Sequence, residues 1–264
     1  MSFWQSFLLG VMQGISEFIP ISSSGHLVVM RALMGVGDIP LLYDVVLHIA
    51  TLIVVVFFFR VRIFSMLGAV TRWTLRRSST NDAQDLKLAL LVVIGTAVTV
   101  VIALVIRRLD LHLYPRIVAV SFLVTAVLLI LSHFARGGTG YEGVGARHAL
   151  IVGAVQGIAV IPGISRSGST IFAALATGVS RERAAEFSFL LSIPAIVGAL
   201  VLELRHFGEM SAAIPPAAMA AGFAGSLVFG FLSLSLLVRL IRGGRLWVFS
   251  IYLIPLGIWG LMAL

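Results

Sequence analysis

Two stretches decide how this chain can fold: Phe18-Ile19-Pro20-Ile21-Ser22-Ser23-Ser24-Gly25-His26 and Ile161-Pro162-Gly163-Ile164-Ser165-Arg166-Ser167-Gly168-Ser169-Thr170. Each interrupts a long apolar region, the first near residues 3 to 34 and the second near 148 to 180. Proline removes a backbone donor, and clustered Ser and Gly favour caps and turns, so each region reads as helix, turn, helix. In lipid such backbone is tolerated only where protein or a water-filled cavity satisfies its polar groups. Two broken segments therefore predict one internal polar cavity.

The two are also copies. Residues 10 to 26 align with 153 to 169 at a constant offset of 143, with eight identities in 17 positions, most of them Gly, Ser or Gln that shared hydrophobicity does not explain. Uncharged or nearly uncharged runs at 41 to 59, 88 to 106, 117 to 135, 184 to 202, 210 to 238 and 246 to 264 are each long enough to cross about 30 Å of hydrocarbon. Three of them separate the two copies, which turns the second upside down relative to the first. The expected fold is all-α: a polytopic membrane protein with about six spanning helices and two re-entrant helix-turn-helix segments. It forms one membrane domain over 1 to 264, with inverted repeats at about 1 to 135 and 148 to 264. The stretch 62 to 71 is too short to cross and is expected at the interface.

Composition agrees. Of 264 residues, 59% are apolar and 11% charged, against roughly 45–50% and about 25% in a soluble domain, which rules out a soluble enzyme. With no cysteine, thiol catalysis, disulfides and cysteine-held metals are excluded. The net charge of +8 reads as membrane orientation against anionic lipid and not as nucleic-acid binding. Placing the 60 to 87 loop inside gathers Arg60, Arg62, Arg72, Arg76, Arg77, Lys87, Arg136, Arg147, Arg181, Arg183, Arg239, Arg242 and Arg245 there, and leaves Arg31, Arg107, Arg108, Arg116 and Arg205 outside. Both termini are then outside. The outward Arg107-Arg108 pair runs against this, and Asp110 offsets it only in part. The first basic residue is Arg31, so a cleavable signal peptide is not expected.

Arg166 is the most informative residue, because an arginine at membrane depth costs at least about 2.5–3.5 kcal/mol and demands an anion. Glu17 could answer it as a structural ion pair. A phosphate answers it better, since a guanidinium donates in parallel pairs and keeps its charge. Gly163, Ser165, Ser167, Gly168, Ser169 and Thr170 around it open a helix whose free N–H groups point at the same spot, an anion cradle without the lysine of a nucleotide-binding loop. In the other copy Glu17 has Gln13 on its helical face; the carboxylate suits a divalent cation or the proton of a nucleophile. His26 could act as nucleophile or as general base and acid, and Ser23 is the alternative nucleophile. His48 reads as a satisfied structural histidine, Asp44 and Glu186 as span-end salt bridges or caps, and Gly222 and Gly225 as close helix packing. This inventory suits phosphoryl transfer on a lipid-borne phosphate. The alternative is a secondary transporter or lipid-phosphate flippase, since inverted repeats with broken helices also build carriers.

Gln13-Gly14-Ile15-Ser16-Glu17-Phe18 through Pro20-Ile21-Ser22-Ser23-Ser24-Gly25-His26-Leu27 resembles a signature of the undecaprenyl-diphosphate phosphatases associated with bacitracin resistance. So does Pro162-Gly163-Ile164-Ser165-Arg166-Ser167-Gly168-Ser169-Thr170, followed by Ser180-Arg181 and Ala184-Ala185-Glu186-Phe187-Ser188-Phe189. The resemblance spans essentially the whole chain. It implies a multi-pass enzyme of the bacterial inner membrane, open to the outer face, that converts undecaprenyl diphosphate to the monophosphate carrier for cell-wall synthesis. It also implies a divalent cation, Mg²⁺ or Ca²⁺. Glu17, Ser23, His26, Ser165, Arg166 and Thr170 match the positions the family uses, while Gln13 stands where many relatives have Glu. Polyprenyl diphosphate and membrane lipids are the expected partners, and a homodimer is left open.

Overall fold

The computed structural model describes residues 1–36, 41–109, 115–135, 137–203 and 214–263; Asp110, Arg136 and Arg205 lie outside them. The described residues are helical, without a strand. The first broken segment is Phe3–Phe18 (α1) and Ser23–Leu33 (α2), and the second is Ala146–Ile158 (α7) and Arg166–Ala176 (α8). Between them lie Leu41–Phe58 (α3), Arg60–Thr74 (α4), Ala83–Arg107 (α5) and Pro115–Phe134 (α6). After them come Arg181–Glu203 (α9), Pro216–Arg242 (α10) and Ser250–Ala263 (α11), the last entered through a short 3₁₀ turn at Leu246–Phe249.

Local chemistry sets the helix ends. Ser2 and Gln5 cap α1 reciprocally, Ile19 ends it one residue before Pro20, and Pro216 opens α10 where its missing N–H costs nothing. Among the described residues five helices are long and apolar enough to cross a bilayer unaided, and α3 with α4 forms a sixth candidate bent by 80°. In α4 the side chains of Val61, Phe64, Leu67 and Trp73 are largely exposed, as suits an interfacial helix. Two helices outrun the expected spans. The first, α5, begins at Ala83 and takes in Asp85 and Lys87, and the second, α10, runs on to Arg242. Charge does not end a helix: an acid in the first turn and arginines in the last complement its dipole, and long side chains reach out of the lipid.

The packing repeats as the sequence does. Along α1, Gly10 lies against the Gly222 backbone and Gly14 against the Ser226 carbonyl of α10. Along α7, the related Gly153 lies against the Gly95 backbone and Gly157 against the Thr99 carbonyl of α5. A Cβ on any of these four glycines would overlap the partner helix, so small residues four apart are what let the helices touch. Each of these two helices thus leans on a helix of the other half. Gly222 and Gly225 serve close packing, as their sequence context suggested.

Residues assigned to the inner face meet one another. Arg62 bonds Asp85 (3.0 Å) and Glu186 (2.7 Å), Arg183 bonds Glu186 (2.6 Å), Arg242 bonds Glu182 (3.0 Å), and Lys87 reaches the Glu142 carbonyl (2.9 Å). Arg62 and Arg183 both lie over the Tyr141 ring, and burial pushes the Tyr141 hydroxyl above its usual range, so the ring stays neutral. At the other end of α3, Asp44 pairs with Arg31. Asp44 and Glu186 are therefore span-end salt bridges.

Gly153→Val should lower the thermal stability of the detergent-purified protein by several degrees, since overpacking at such a contact costs about 1–3 kcal/mol. Gly198→Ala, where an added Cβ meets no other helix or side chain among the described residues within 4 Å, should not lower the melting temperature by more than about one degree.

Candidate active site

The two turns meet around a cavity of about 210 Å³. Its wall takes the same positions from each copy: Ser16 and Ala159, Glu17 and Val160, Ser22 and Ser165, Ser23 and Arg166. The placement is symmetric and the chemistry is not. One copy supplies a carboxylate and a hydroxyl, the other a guanidinium.

Glu17, in the last turn of α1, organises the site. Its Oε1 accepts a hydrogen bond from Arg166 Nη2. Its Oε2 accepts from Ser23 Oγ at 2.8 Å and from Gln13 Nε2 at 3.1 Å, and His48 Nε2 of α3 lies 3.5 Å from the same oxygen. The Glu17 side chain is only 4% exposed, so this ring of donors, and not water, carries its charge. Ser23 owes its position to Ser22, which holds φ at +73°, a left-handed conformation that costs about 1–3 kcal/mol for a residue with a side chain.

The second turn is held from outside. Gly163 has φ +92°, and a Cβ there would press on the Val118 carbonyl and Ser121 of α6. From the same helix, the buried Thr125 hydroxyl accepts the Ser165 N–H (3.0 Å) and donates to the Gly163 carbonyl (3.2 Å). Ser165 caps α8 by accepting the Gly168 N–H (3.2 Å). Ser167 donates to the Phe18 carbonyl (3.2 Å), tying the turns together, and Thr170 donates to the Arg166 carbonyl (2.7 Å) and pairs with Ser188. The glycine at 168 lets Pro20 pass, and the buried Ser169 hydroxyl has no partner among the described residues. Of the expected anion cradle, Ser165 and Arg166 line the cavity; Gly163, Ser167, Gly168, Ser169 and Thr170 build the frame behind them.

His26 is placed apart from Glu17 and Arg166. Its Nδ1 lies 2.8 Å from the Ser22 carbonyl and its Nε2 2.8 Å from the Tyr252 hydroxyl, with the ring stacked on Tyr252 and edge-on to Phe122. Both nitrogens are engaged, and the ring does not line the cavity. On the cavity wall the imidazole beside the acid is that of His48, while His26 sits behind the turn. The signal was available, since Asp44, His48 and Thr51 recur at helical spacing in an apolar span, a polar stripe that faces inward. Tyr252, 226 residues from His26, left no such trace.

Among the described residues no cluster of three His, Asp or Glu could cage a metal ion. Among the described residues Glu17 is the carboxylate on the cavity; the Gln13 amide nitrogen faces it, and the Gln13 Oε1 is buried without a hydrogen-bond partner. The equivalent Gln156 Oε1 is also unpaired but has no carboxylate partner, its amide being spent on Thr99 and the Leu191 carbonyl. Glu17, joined by the Gln13 oxygen were that amide turned over, would suit a hard cation drawing its other ligands from phosphate oxygens and water.

A family model described as Bacitracin resistance protein BacA matches residues 6–259. The chain is 42% identical over 258 residues to the undecaprenyl-diphosphatase of Treponema denticola, covering 98% of this chain and 96% of that one. It is 40% identical over 262 residues to the undecaprenyl-diphosphatase of Desulfosudis oleivorans, covering 96% and 95%. With the protein of the same name from Methanosphaera stadtmanae the identity is 37%, over 95% and 94% of the two chains.

Thr125→Val, which keeps shape but strands the Ser165 N–H and Gly163 carbonyl, should cost about 2 kcal/mol by thermal unfolding, and Thr125→Ser should recover most of it.

Proposed function

Because the chain belongs to the bacitracin resistance protein BacA family, we propose that it is a membrane phosphatase that hydrolyses undecaprenyl diphosphate to undecaprenyl phosphate and inorganic phosphate. The observation that carries this reading is the convergence of the Ser23 hydroxyl and the Arg166 guanidinium on the two oxygens of one carboxylate. A phosphate entering the cavity competes with Glu17 for Arg166, which can grip it through paired N–H donors. Glu17 Oε2 then takes the Ser23 proton as Ser23 Oγ bonds to the terminal phosphorus. The bond from that phosphorus to the bridging oxygen breaks, and the lipid monophosphate leaves. Water next cleaves the seryl phosphate, returning the serine and releasing orthophosphate. His26, engaged by Ser22 and Tyr252, supports the turn from which Ser23 projects.

A divalent cation, Mg²⁺ or Ca²⁺, belongs to the proposal: Glu17 with Gln13 would hold it, and when bound it neutralises diphosphate charge. The bacterial inner membrane with the cavity towards the outer face is the placement that the basic residues of the opposite end favour. The names of the relatives favour hydrolysis over the carrier reading.

The test is phosphate release from a polyprenyl diphosphate by the purified protein. Arg166→Ala should cut turnover at least about 100-fold, with Arg166→Lys recovering little, because the loss is of paired donors and not only of charge. Unimpaired turnover by Arg166→Ala would overturn the assignment, and lipid-phosphate movement across vesicles without phosphate release would favour a carrier. Chelation should abolish turnover and added Mg²⁺ or Ca²⁺ restore it, with Gln13→Ala needing roughly tenfold more cation.

A further inference from the structure

We propose that the cleft at the α3–α4 elbow is a binding site for one anionic phospholipid of the surrounding leaflet, its phosphate held by Arg183 and Arg242 and the upper part of its chains laid along Phe58 and Val238. Such a site is separate from the cavity at Glu17 and stands whether or not the chain is a phosphatase.

The elbow makes the space. Between α3 and α4 the chain bends by 80°, so α4 leaves the bundle sideways. A cavity of about 460 Å³, more than twice the size of the one at Glu17, opens between α4, the start of α9 and the end of α10. One wall is apolar and includes Phe58, Phe59 and Val238, with Phe59 stacked on Phe189 at 5.7 Å between ring centres. Val61 lines the cavity too and is 78% exposed, on the same interfacial helix as the exposed Phe64 and Leu67. The opening therefore faces the level where lipid head groups lie.

The other wall is cationic, with Arg62, Arg183 and Arg242. Arg62 is committed to Glu186 through Nε and to Asp85 through Nη1. Arg183 gives Nη1 to Glu186 at 2.6 Å, and Arg242 sets Nε 3.0 Å from Glu182; the other N–H groups of these two have no acceptor among the described residues. The Arg242 and Glu182 side chains are 65% and 64% exposed, a solvated contact that contributes little and leaves Arg242 able to share its charge with a second anion. Guanidinia take phosphate oxygens through paired donors. A free ion would use the arginines and leave the apolar wall to water, whereas an uncharged lipid would use the wall and leave the arginines. An amphiphile headed by phosphate uses both, and basic pockets between helices at the basic end of a membrane protein suit such head groups. Bound there, it bridges α4 to α9 and α10, so occupancy stabilises the fold.

Thermal unfolding of the detergent-purified protein tests this. Phosphatidylglycerol should raise the melting temperature by about 4 °C or more, while phosphatidylcholine with the same chains, or inorganic phosphate at the same concentration, shifts it by less than about 1 °C. Arg183→Gln combined with Arg242→Gln should remove at least about half of that shift, and so should Val238→Trp, which keeps every charge and fills the apolar wall. Arg60→Gln combined with Arg77→Gln, which takes two charges from exposed positions outside the cavity, should keep it. No shift with phosphatidylglycerol, or an equal one with phosphatidylcholine or inorganic phosphate, overturns the proposal. So does a full shift in Val238→Trp or in the Arg183 and Arg242 variant, or an equal loss in the Arg60 and Arg77 variant. Should the Arg183 and Arg242 variant not fold, Arg242→Gln alone takes its place, since its pair is solvated: a smaller phosphatidylglycerol shift than wild type supports the proposal, and an unchanged one overturns it.

Discussion

The structure depends on a guanidinium and a carboxylate brought together inside the lipid from two turns 149 residues apart. Either charge alone would cost several kcal/mol at that depth, and breaking such a pair by removing one partner is typically worse than never having built it. Arg166 and Glu17 therefore oblige the two turns to meet, and the rest of the architecture serves that meeting. Glycines let α1 and α7 approach α10 and α5 closely, Ser167 stitches one turn to the Phe18 carbonyl of the other, and Thr125 pins the second from α6. A phosphate that displaces Glu17 from Arg166 replaces one anion by another, so the guanidinium is never left alone.

Duplication explains how one cavity comes to hold complementary groups. Ser23 and Arg166 occupy the same position of the two copies, so a near-symmetric frame sets a hydroxyl opposite a cation without separate construction of either side. Glu17 and Val160 diverged in the same way. Gln13 and Gln156 show the division most plainly, one amide given to the site's carboxylate and the other to the scaffold contacts of Thr99 and Leu191.

The frame was legible because lipid narrows the choices. Runs without charge become helices, Pro and Ser-Gly clusters become turns, and basic residues collect at one end, as Arg62, Arg183 and Arg242 do. Arg166 and Glu17 stood out for the same reason: ionisable groups at depth need each other or a ligand. The two histidines were harder. His26 follows the serine run in sequence, but its ring turns back to the Ser22 carbonyl and out to Tyr252, a partner that only the folded chain supplies. His48 sits in an apolar span marked only by the helical spacing of Asp44, His48 and Thr51, and its place at the cavity comes from α3 passing beside the end of α1. The same holds for Thr125, whose role is set by a loop 40 residues away.

The two ends of the molecule are built on different principles, and that difference bears on how a lipid-borne diphosphate reaches Arg166. At the basic end Arg62 joins Asp85 and Glu186, Arg183 shares Glu186, and both guanidinia cover the neutral Tyr141 ring, a network that couples α4, α5, α9 and the segment before α7. Charges that share partners in such a network count for more than isolated surface pairs. At the cavity the strongest tie between the two turns is the Arg166–Glu17 pair itself, the contact a substrate phosphate would exchange for its own. Entry of substrate would thus exchange one charge contact between the halves, while the Arg62–Glu186 pair still joins them at the opposite end and the small-residue seams along α1 and α7 hold the helices on either side in register.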